Sequence, residues 1–209
     1  MITICPTVTA YDTHSFNRQL RAVSAFAERL HIDIMDGDFT PKSSPTLHDM
    51  HFPSDKTLDI HVMYRRPQEI VRELVALKPK LVIIHAESDT DIPLFATAMR
   101  EHGIQTGLAL LPETSLDSIA QWLPHVQNLL IFGGKLGFHG GNADLEQLQK
   151  VHEAKKYSRH LTYGWDGGAN TQNVLAIKNA GIDVINVGSG IHSADNPASR
   201  YKELVDIVS

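Results

Sequence analysis

Eight short apolar runs, separated by longer segments with helical periodicity, constrain the fold of this chain more than any other feature. The runs are rich in β-branched residues and nearly continuous in apolar character, which is typical of parallel strands buried on both faces. They cover Ile2–Cys5, Leu30–Ile34, Leu58–Val62, Leu81–His85, Thr106–Leu110, Asn128–Phe132, Leu161–Trp165 and Val184–Val187.

Most of the intervening segments predict helices, because their apolar residues recur at a helical spacing and several begin or end at good cap residues. The stretch from Asp36 to Ser54 has proline-containing turns and no apolar stripe, so we expect a long loop there with at most a short helix. The predicted helices are Ser15–Arg29, Pro67–Leu77, Ile92–His102, a shorter one at Ser115–Trp122, Ala143–Tyr157, Thr171–Ala180 and Pro197–Val208.

Eightfold alternation of strand and helix has two main solutions, a closed (β/α)8 barrel and an open doubly wound sheet. The turn after the first strand lacks the glycine-rich fingerprint of a dinucleotide-binding sheet, which favours the barrel. The chain has 209 residues, close to the lower limit of about 200 for this fold. We therefore expect an α/β protein with one (β/α)8 TIM barrel domain over residues 1–209 and few insertions.

Composition excludes several other classes of protein. Lys and Arg total 19 against 24 Asp and Glu, a formal net charge of −5, which disfavours a general nucleic-acid binder. The single cysteine, Cys5, excludes an internal disulfide and a multi-cysteine metal site and fits a reducing compartment. The first residues do not resemble a secretory signal, and no apolar run approaches the ~18 residues needed to cross a bilayer. We expect a cytoplasmic protein without membrane association.

Ionisable side chains lie in or directly after three of the predicted strands, near their carboxyl ends. His31 and Asp33 share one face of the second strand, His61 lies in the third, and Asp166 follows the seventh. Strand ends converge at one mouth of a barrel, and a buried charged group is costly unless it is paired or binds a metal. Two imidazoles and two carboxylates suit one divalent ion of zinc, iron, manganese or cobalt.

Glycine-rich segments follow the sixth, seventh and eighth strands. They are residues 133–141, Gly167-Gly168 and Gly188-Ser189-Gly190. Glycine allows backbone N–H groups to approach an anion closely, and barrels commonly bind phosphate at the loops after the last two strands. The sequence therefore predicts a phosphate site at these loops and a barrel of the phosphate-binding type.

Four segments match known motifs in the same order along the chain. Residues 30–41 read LHIDIMDGDFTP, residues 58–63 LDIHVM, residues 165–168 WDGG and residues 187–189 VGS. They are similar to the L-H-x-D-V-M-D-G-x-F-V-P, L-D-x-H-L-M, V-D-G-G and V-G-S motifs of ribulose-phosphate 3-epimerases, and Pro6-Thr7 stands where that family usually has Pro-Ser. Over nearly its whole length the chain resembles this family of phosphate-binding barrels.

The resemblance implies a function and a set of site residues. The implied reaction inverts C3 of D-ribulose 5-phosphate to give D-xylulose 5-phosphate by two-carboxylate proton transfer through an enediolate, a step of the pentose phosphate pathway that needs no organic cofactor. His31, Asp33, His61 and Asp166 would hold the metal, with Asp33 and Asp166 as acid–base pair. A dimer or higher homo-oligomer is also expected. The implied substrate contacts are Thr7, His61, Met35, Met63, Gly137, Phe138, His139, Gly140, Gly167, Gly168, Gly188 and Ser189.

One departure from the family keeps alternatives open. The loop after the sixth strand usually reads V-E-P-G-F-G-G-Q, whereas residues 134–141 read GKLGFHGG. This change leaves room for an epimerase of a hexulose 6-phosphate such as allulose 6-phosphate. It also places Lys135 where a barrel aldolase can carry a Schiff-base lysine. A non-catalytic relative that binds a sugar phosphate or a partner is the third alternative, and retention of all four candidate metal ligands argues against it.

Overall fold

The eight predicted strands are present and close into a barrel. A computed structural model describes residues 2–138, 140–158 and 160–209. Each strand pairs in parallel with the next one in the chain, and the last pairs with the first, so the predicted (β/α)8 barrel is confirmed. The strands are β1 (Thr3–Val8), β2 (Arg29–Met35), β3 (Thr57–Met63), β4 (Leu81–His85), β5 (Gln105–Leu110), β6 (Asn128–Phe132), β7 (Thr162–Asp166) and β8 (Val184–Val187).

Helices surround the barrel and share one apolar core with the outer faces of its strands. None of the helices in the described parts of the chain has the length and apolar character needed to cross a membrane. Short 3₁₀ turns at Pro67–Ile70, Ala120–His125 and Leu145–Leu148 adjoin α2, α4 and α5. The helices are α1 (Thr13–Ser24), α2 (Val71–Leu77), α3 (Ile92–Glu101), α4 (Leu116–Ile119), α5 (Gln149–Tyr157), α6 (Val174–Asn179), α7 (Ser189–His192) and α8 (Pro197–Val208).

The first helix is shorter than the sequence predicts. It begins after Asp12, whose carboxylate accepts the N–H of Ser15 at 2.8 Å, and it ends at Ser24 instead of Arg29. Arg29 opens β2, where it pairs with Thr57, and its guanidinium lies 2.8 Å from the buried carboxylate of Asp59. This ion pair joins neighbouring strands, so the local periodicity of the chain does not reveal it.

The connection from β2 to β3 is the long loop that the sequence predicts. It contains no helix in the fully described stretch 36–56. The side chain of Asp36 fixes the path of this loop. One of its carboxylate oxygens accepts the N–H groups of Asp38 and Phe39 at 2.8 Å, and the other accepts the N–H of Arg65 at 2.6 Å. The loop is thereby tied to the segment that follows β3.

Alternation along the strands separates the helix-facing core from the barrel interior. Leu30, Ile32 and Ile34 of β2 belong to the core cluster shared with the helices. The alternate residues of this strand, His31, Asp33 and Met35, are buried outside that cluster. A separate small apolar cluster of Leu81, Ile83, Ala109 and Leu130 fills part of the interior.

Candidate active site

Four ionisable side chains meet at the carboxyl end of the barrel, as the sequence predicts. His31 and Asp33 extend from β2, His61 from β3 and Asp166 from the end of β7. Parallel pairing places Asp33 opposite His61. One potential ligand atom from each of the four residues lies within 4.8 Å of the others, and all four are buried.

The two imidazoles direct ring nitrogens towards the same two carboxylates. His31 Nε2 lies 3.3 Å from Asp33 Oδ1 and 3.8 Å from Asp166 Oδ2. His61 Nδ1 lies 3.1 Å and 3.4 Å from these same oxygens. The cluster therefore offers two nitrogen and two oxygen donors around one point, a donor set that suits a divalent transition metal.

His31 gives an independent test of this fit. Its side chain is fully buried, and neither ring nitrogen has a hydrogen-bond partner among the residues that the structure describes. A buried polar atom without a partner costs free energy of about 1–3 kcal/mol. A cation bound at Nε2 removes that cost, so the cluster is compatible with one divalent metal ion.

Electrostatics in the cluster favour the charged carboxylate of Asp33. Burial acts to raise the pKa of Asp33, but the close approach and charge of the His31 and His61 rings outweigh it and hold this pKa well below its usual range. Burial also acts to lower the pKa of His61, and the neighbouring Asp166 and Asp33 outweigh it, raising this pKa to about 9. The two carboxylates thus stabilise positive charge at the point where the four side chains meet.

Sequence reasoning missed Thr9, which contacts one of the candidate catalytic groups. The residue follows β1, and its buried hydroxyl donates a hydrogen bond of 2.5 Å to Asp33 Oδ2. Only its spacing of two residues from Thr7 pointed to the same face of the chain. Asp33 therefore has one oxygen held by Thr9 and the other near the two histidines.

A cavity opens above the cluster. It includes Asp33 and Asp166, whereas His31 and His61 are fully buried and do not line it. Met35 is buried beside Met63 in the strand register, and of this pair only Met63 reaches the cavity. His139 lies outside the described residues. The predicted site residues that line the cavity are Thr7, Asp33, Met63, Gly137, Phe138, Gly140, Asp166, Gly167, Gly168, Gly188 and Ser189.

Other residues line the cavity without having been predicted as contacts. Asn186 on β8 is buried inside the barrel, and its alternation with Val187 was an available signal. Among the predicted contacts, Thr7 has a buried hydroxyl without a hydrogen-bond partner in the described part of the chain, which is compatible with a hydrogen bond to a substrate. The additional lining residues are Thr9, Phe132, Gly134, Lys135, Ala169 and Asn186.

The glycine-rich loops pack tightly around the cavity. Gly168 has φ +66°, and a Cβ there would lie 2.4 Å from the backbone nitrogen of Ala143. Gly140 approaches Ser189 closely enough that a Cβ on it would lie 3.9 Å from the serine Cβ. The loops after β6, β7 and β8 therefore meet at one side of the cavity, where the sequence predicts phosphate binding.

The loop after β6 also reaches across the mouth of the barrel. The Tyr11 hydroxyl donates to the carbonyl of Gly137 at 3.2 Å, and a Cβ on Gly137 would lie 2.9 Å from Thr40 Cβ. Lys135 places its ammonium 4.5 Å from the centroid of the Phe138 ring. Lys135 is thus an exposed residue at the rim of the cavity, stacked on an aromatic neighbour.

Solved structures with the same architecture include enzymes of several kinds. A 3-hexulose-6-phosphate synthase superimposes with a TM-score of 0.75 at 15% sequence identity, covering 100% of both chains. Phosphoribosyl anthranilate isomerase from Thermus thermophilus gives a TM-score of 0.69 at 13% identity, covering 99% of this chain and 100% of that one. At such low identity these likenesses show the barrel fold alone.

Sequence comparison is more specific. The model of the ribulose-phosphate 3 epimerase family matches residues 3–192. Ribulose-phosphate 3-epimerase from Mycobacterium bovis is 31% identical over 209 residues, covering 96% of this chain and 90% of its own. The enzyme of that name from Helicobacter pylori is 30% identical over 195 residues, covering 90% and 89%. The chain therefore belongs to the ribulose-phosphate 3-epimerase family and is an epimerase, an enzyme of the isomerase class.

Proposed function

We propose that the protein interconverts D-ribulose 5-phosphate and D-xylulose 5-phosphate by inverting C3, with Asp33 and Asp166 as the acid–base pair. One observation carries this proposal above the others. The two carboxylates come from β2 and β7, which β1 and β8 separate in the closed barrel, and both line the same cavity. Two acids in one cavity are what inversion at a single carbon requires.

The proton transfers follow from this arrangement. One carboxylate removes the proton from C3, next to the ketone, and the electron pair of the C–H bond passes into an enediolate. The other carboxylic acid delivers a proton to the opposite face of C3, and the electrons return to restore the ketone. A single base on one face returns its proton to that face, so it exchanges the proton without inverting the centre. General acid–base catalysis of this kind contributes about 10²–10⁴-fold.

His31, Asp33, His61 and Asp166 would hold one divalent ion of zinc, iron, manganese or cobalt. When bound there, it supplies Lewis-acid stabilisation for the negative charge that develops on the substrate oxygens. The protein residues contribute the fixed geometry, because the histidines are fully buried and Thr9 holds Asp33. This chemistry requires no organic cofactor.

The glycine loops after β6, β7 and β8 are proposed to bind the substrate phosphate. Binding energy from this remote group orients C3 between the carboxylates and thereby contributes to the rate. Thr7, Met63 and Phe138 are proposed to contact the sugar chain, since they line the same cavity. The roles of Met35 and His139 stay predictions of the family resemblance, as do the pentose phosphate pathway, the cytoplasmic location and a homo-oligomeric state.

The variants Asp33→Asn and Asp166→Asn test the acid–base pair. Each replacement keeps the size of the side chain but removes the carboxylate that carries the proton, so kcat for epimerisation should fall by about 10²-fold or more. In deuterated water, each variant should still exchange the C3 proton of one epimer, the one whose proton faces the remaining carboxylate. The two variants should therefore exchange complementary epimers, as measured by NMR.

The matched control is Asp38→Asn, which makes the same change on an exposed residue of the β2–β3 loop and should leave kcat unchanged. Near-full activity of either active-site variant would contradict the two-acid mechanism. Comparing kcat/KM for D-ribulose 5-phosphate and D-allulose 6-phosphate separates the pentose from the hexulose substrate. Covalent labelling of Lys135 by borohydride in the presence of substrate would indicate Schiff-base chemistry and contradict the proposal.

A further inference from the structure

A buried chain of side chains extends from His61 away from the candidate metal cluster. The Nδ1 atom of His61 faces Asp33 and Asp166, whereas its Nε2 atom lies 2.9 Å from Nε2 of His85 on β4. The two rings are stacked with centroids 5.0 Å apart, and both side chains are fully buried. Nδ1 of His85 lies in turn 3.4 Å from Oε2 of Glu87.

The far end of this chain is held by hydrogen-bond donors. Oε1 of Glu87 accepts the backbone N–H of Leu111 at 3.1 Å and the hydroxyl of Thr114. Neither His85 Nδ1 nor Glu87 Oε2 has another hydrogen-bond partner within residues 2–138, 140–158 and 160–209. Since buried polar atoms are nearly always paired, these two atoms are each other's partner.

Hydrogen-bond chemistry determines which atoms donate and which accept along this series of side chains. An ionised carboxylate only accepts, so Nδ1 of His85 carries the hydrogen that faces Glu87. A neutral imidazole with its hydrogen on Nδ1 presents a lone pair at Nε2, which accepts the Nε2–H of His61. In the neutral form that a metal ligand requires, His61 then keeps its hydrogen on Nε2 and gives up the one on Nδ1, the atom that lies 3.1 Å from Asp33 Oδ1 and faces the four-residue cluster. The opposite direction would place a hydrogen on that atom and block it as a metal ligand.

We propose that His85 and Glu87 are positioning residues that hold His61 in the tautomer and ring orientation needed to bind the metal through Nδ1. The proposal rests on the metal site of the proposed function but does not depend on the substrate. The proposal assigns Glu87, in the loop after β4, a role in metal affinity. Glu87 does not line the cavity and is connected to the candidate ligand His61 only through His85. Partners of this kind typically change metal affinity by about 10–100-fold when they are mutated.

The variant Glu87→Gln tests the direction of the chain. The N–H of Leu111 requires an oxygen, so the amide oxygen of glutamine faces Leu111 and the amide NH₂ faces His85. His85 must then accept at Nδ1 and donate from Nε2, which moves the hydrogen of His61 to Nδ1. The affinity of the apoprotein for Zn²⁺, measured by competition with a chromophoric chelator, should fall by about 10–100-fold relative to wild type.

Lys150→Met is the matched control for loosening of the same segment. The ammonium of Lys150 donates to the carbonyls of Leu111 and Pro112 at 2.9 and 2.8 Å, so its loss loosens the segment that holds Glu87 but keeps the carboxylate of Glu87 and both of its donors. Zn²⁺ affinity of this variant should equal that of wild type. An equal loss of affinity in both variants would mean that Glu87 acts only by holding the segment, and would overturn the proposal.

A measurement on the wild-type protein keeps the test independent of how the variants fold. ¹⁵N NMR of labelled histidine distinguishes the two neutral tautomers, and it should show His85 with its hydrogen on Nδ1 and, in Glu87→Gln, on Nε2. A hydrogen on Nε2 of His85 in wild type would overturn the proposal. Equal Zn²⁺ affinity of wild type and Glu87→Gln would overturn this proposal and leave the proposed function intact. Absence of Zn²⁺ binding by wild type would overturn both this proposal and the metal site of the proposed function.

Discussion

At the scale of single residues, the candidate site depends on hydrogen bonds that hold its acid–base groups in place. Thr9 is the clearest case, because its hydroxyl donates to Asp33 at 2.5 Å inside a buried environment. A hydrogen bond to a charged group contributes about 1.5–3 kcal/mol. Its backbone is held separately, since the N–H and carbonyl of Thr9 both bond to the side-chain amide of Gln19. The hydroxyl can therefore be removed without releasing the strand end.

We predict that Thr9→Val lowers kcat/KM by about tenfold or more, since ~1.4 kcal/mol corresponds to a factor of ten in rate. Valine keeps the shape of threonine but leaves Oδ2 of Asp33 without its donor. Thr9→Ser restores the hydroxyl and should recover most of the activity. Steady-state kinetics on the two variants measures this difference. A valine variant with wild-type kcat/KM would show that Thr9 only fills space.

At the scale of elements, the loops after β6 and β7 form one packed unit. Gly168 adopts a positive φ, and its neighbour Gly167 lies so close to the preceding loop that a Cβ there would be 2.3 Å from the nitrogen of Gly134. Backbone atoms make these contacts, so they cannot yield as a flexible side chain would. The glycines are therefore required by loop packing as well as by any bound phosphate.

We predict that Gly168→Ala raises KM for the sugar phosphate by about tenfold or more, because displacement of two loops removes roughly a hydrogen bond's worth of binding energy. The matched control is Gly103→Ala. Gly103 also has a positive φ, of +73°, but a Cβ there would meet nothing within 4 Å. Both variants carry the cost of a left-handed alanine, about 1 kcal/mol, so only the clash distinguishes them. Equal KM values in the two would contradict this account of the loops.

At the scale of the whole molecule, the candidate metal cluster connects strands on both sides of the barrel seam. Its ligands come from β2, β3 and β7, and β1 and β8 lie between β7 and β2. These residues approach one another only when the barrel is closed, so a metal ion would bind the folded state in preference to the unfolded chain. Binding of this kind stabilises the fold by mass action.

We predict that removing divalent metal with a chelator lowers Tm by about 5–10 °C, and that adding zinc, manganese or cobalt restores it. At a free metal concentration of 100 times Kd the stabilisation is about 2.7 kcal/mol, and each kcal/mol corresponds to roughly 2–4 °C for a domain of this size. Scanning calorimetry measures the shift. Asp166→Asn, which loses one candidate ligand, should show a smaller decrease in Tm when the chelator is added. Identical Tm values with and without chelator would indicate that the cluster binds no ion.

The sequence alone determined the barrel, because its eight apolar runs and the helical stripes between them are local patterns. It also determined which face of β2 carries His31 and Asp33, since alternation along a strand is a property of the backbone. The convergence of these residues with His61 and Asp166 followed from the rule that parallel strand ends meet at one mouth. The long β2–β3 loop was likewise predicted, since its prolines and missing apolar stripe are local features.

Tertiary structure alone decided the contacts that couple these elements. The pairing of Arg29 with Asp59 moved a residue from a predicted helix into β2, and the hydroxyl of Thr9 and the ring of His85 came within hydrogen-bond distance of Asp33 and His61. Each pair joins different segments of the barrel and is separated by 24 to 30 residues in the chain. No period or motif within one segment specifies such a contact, because it depends on strand register, side-chain rotamers and the closure of the barrel.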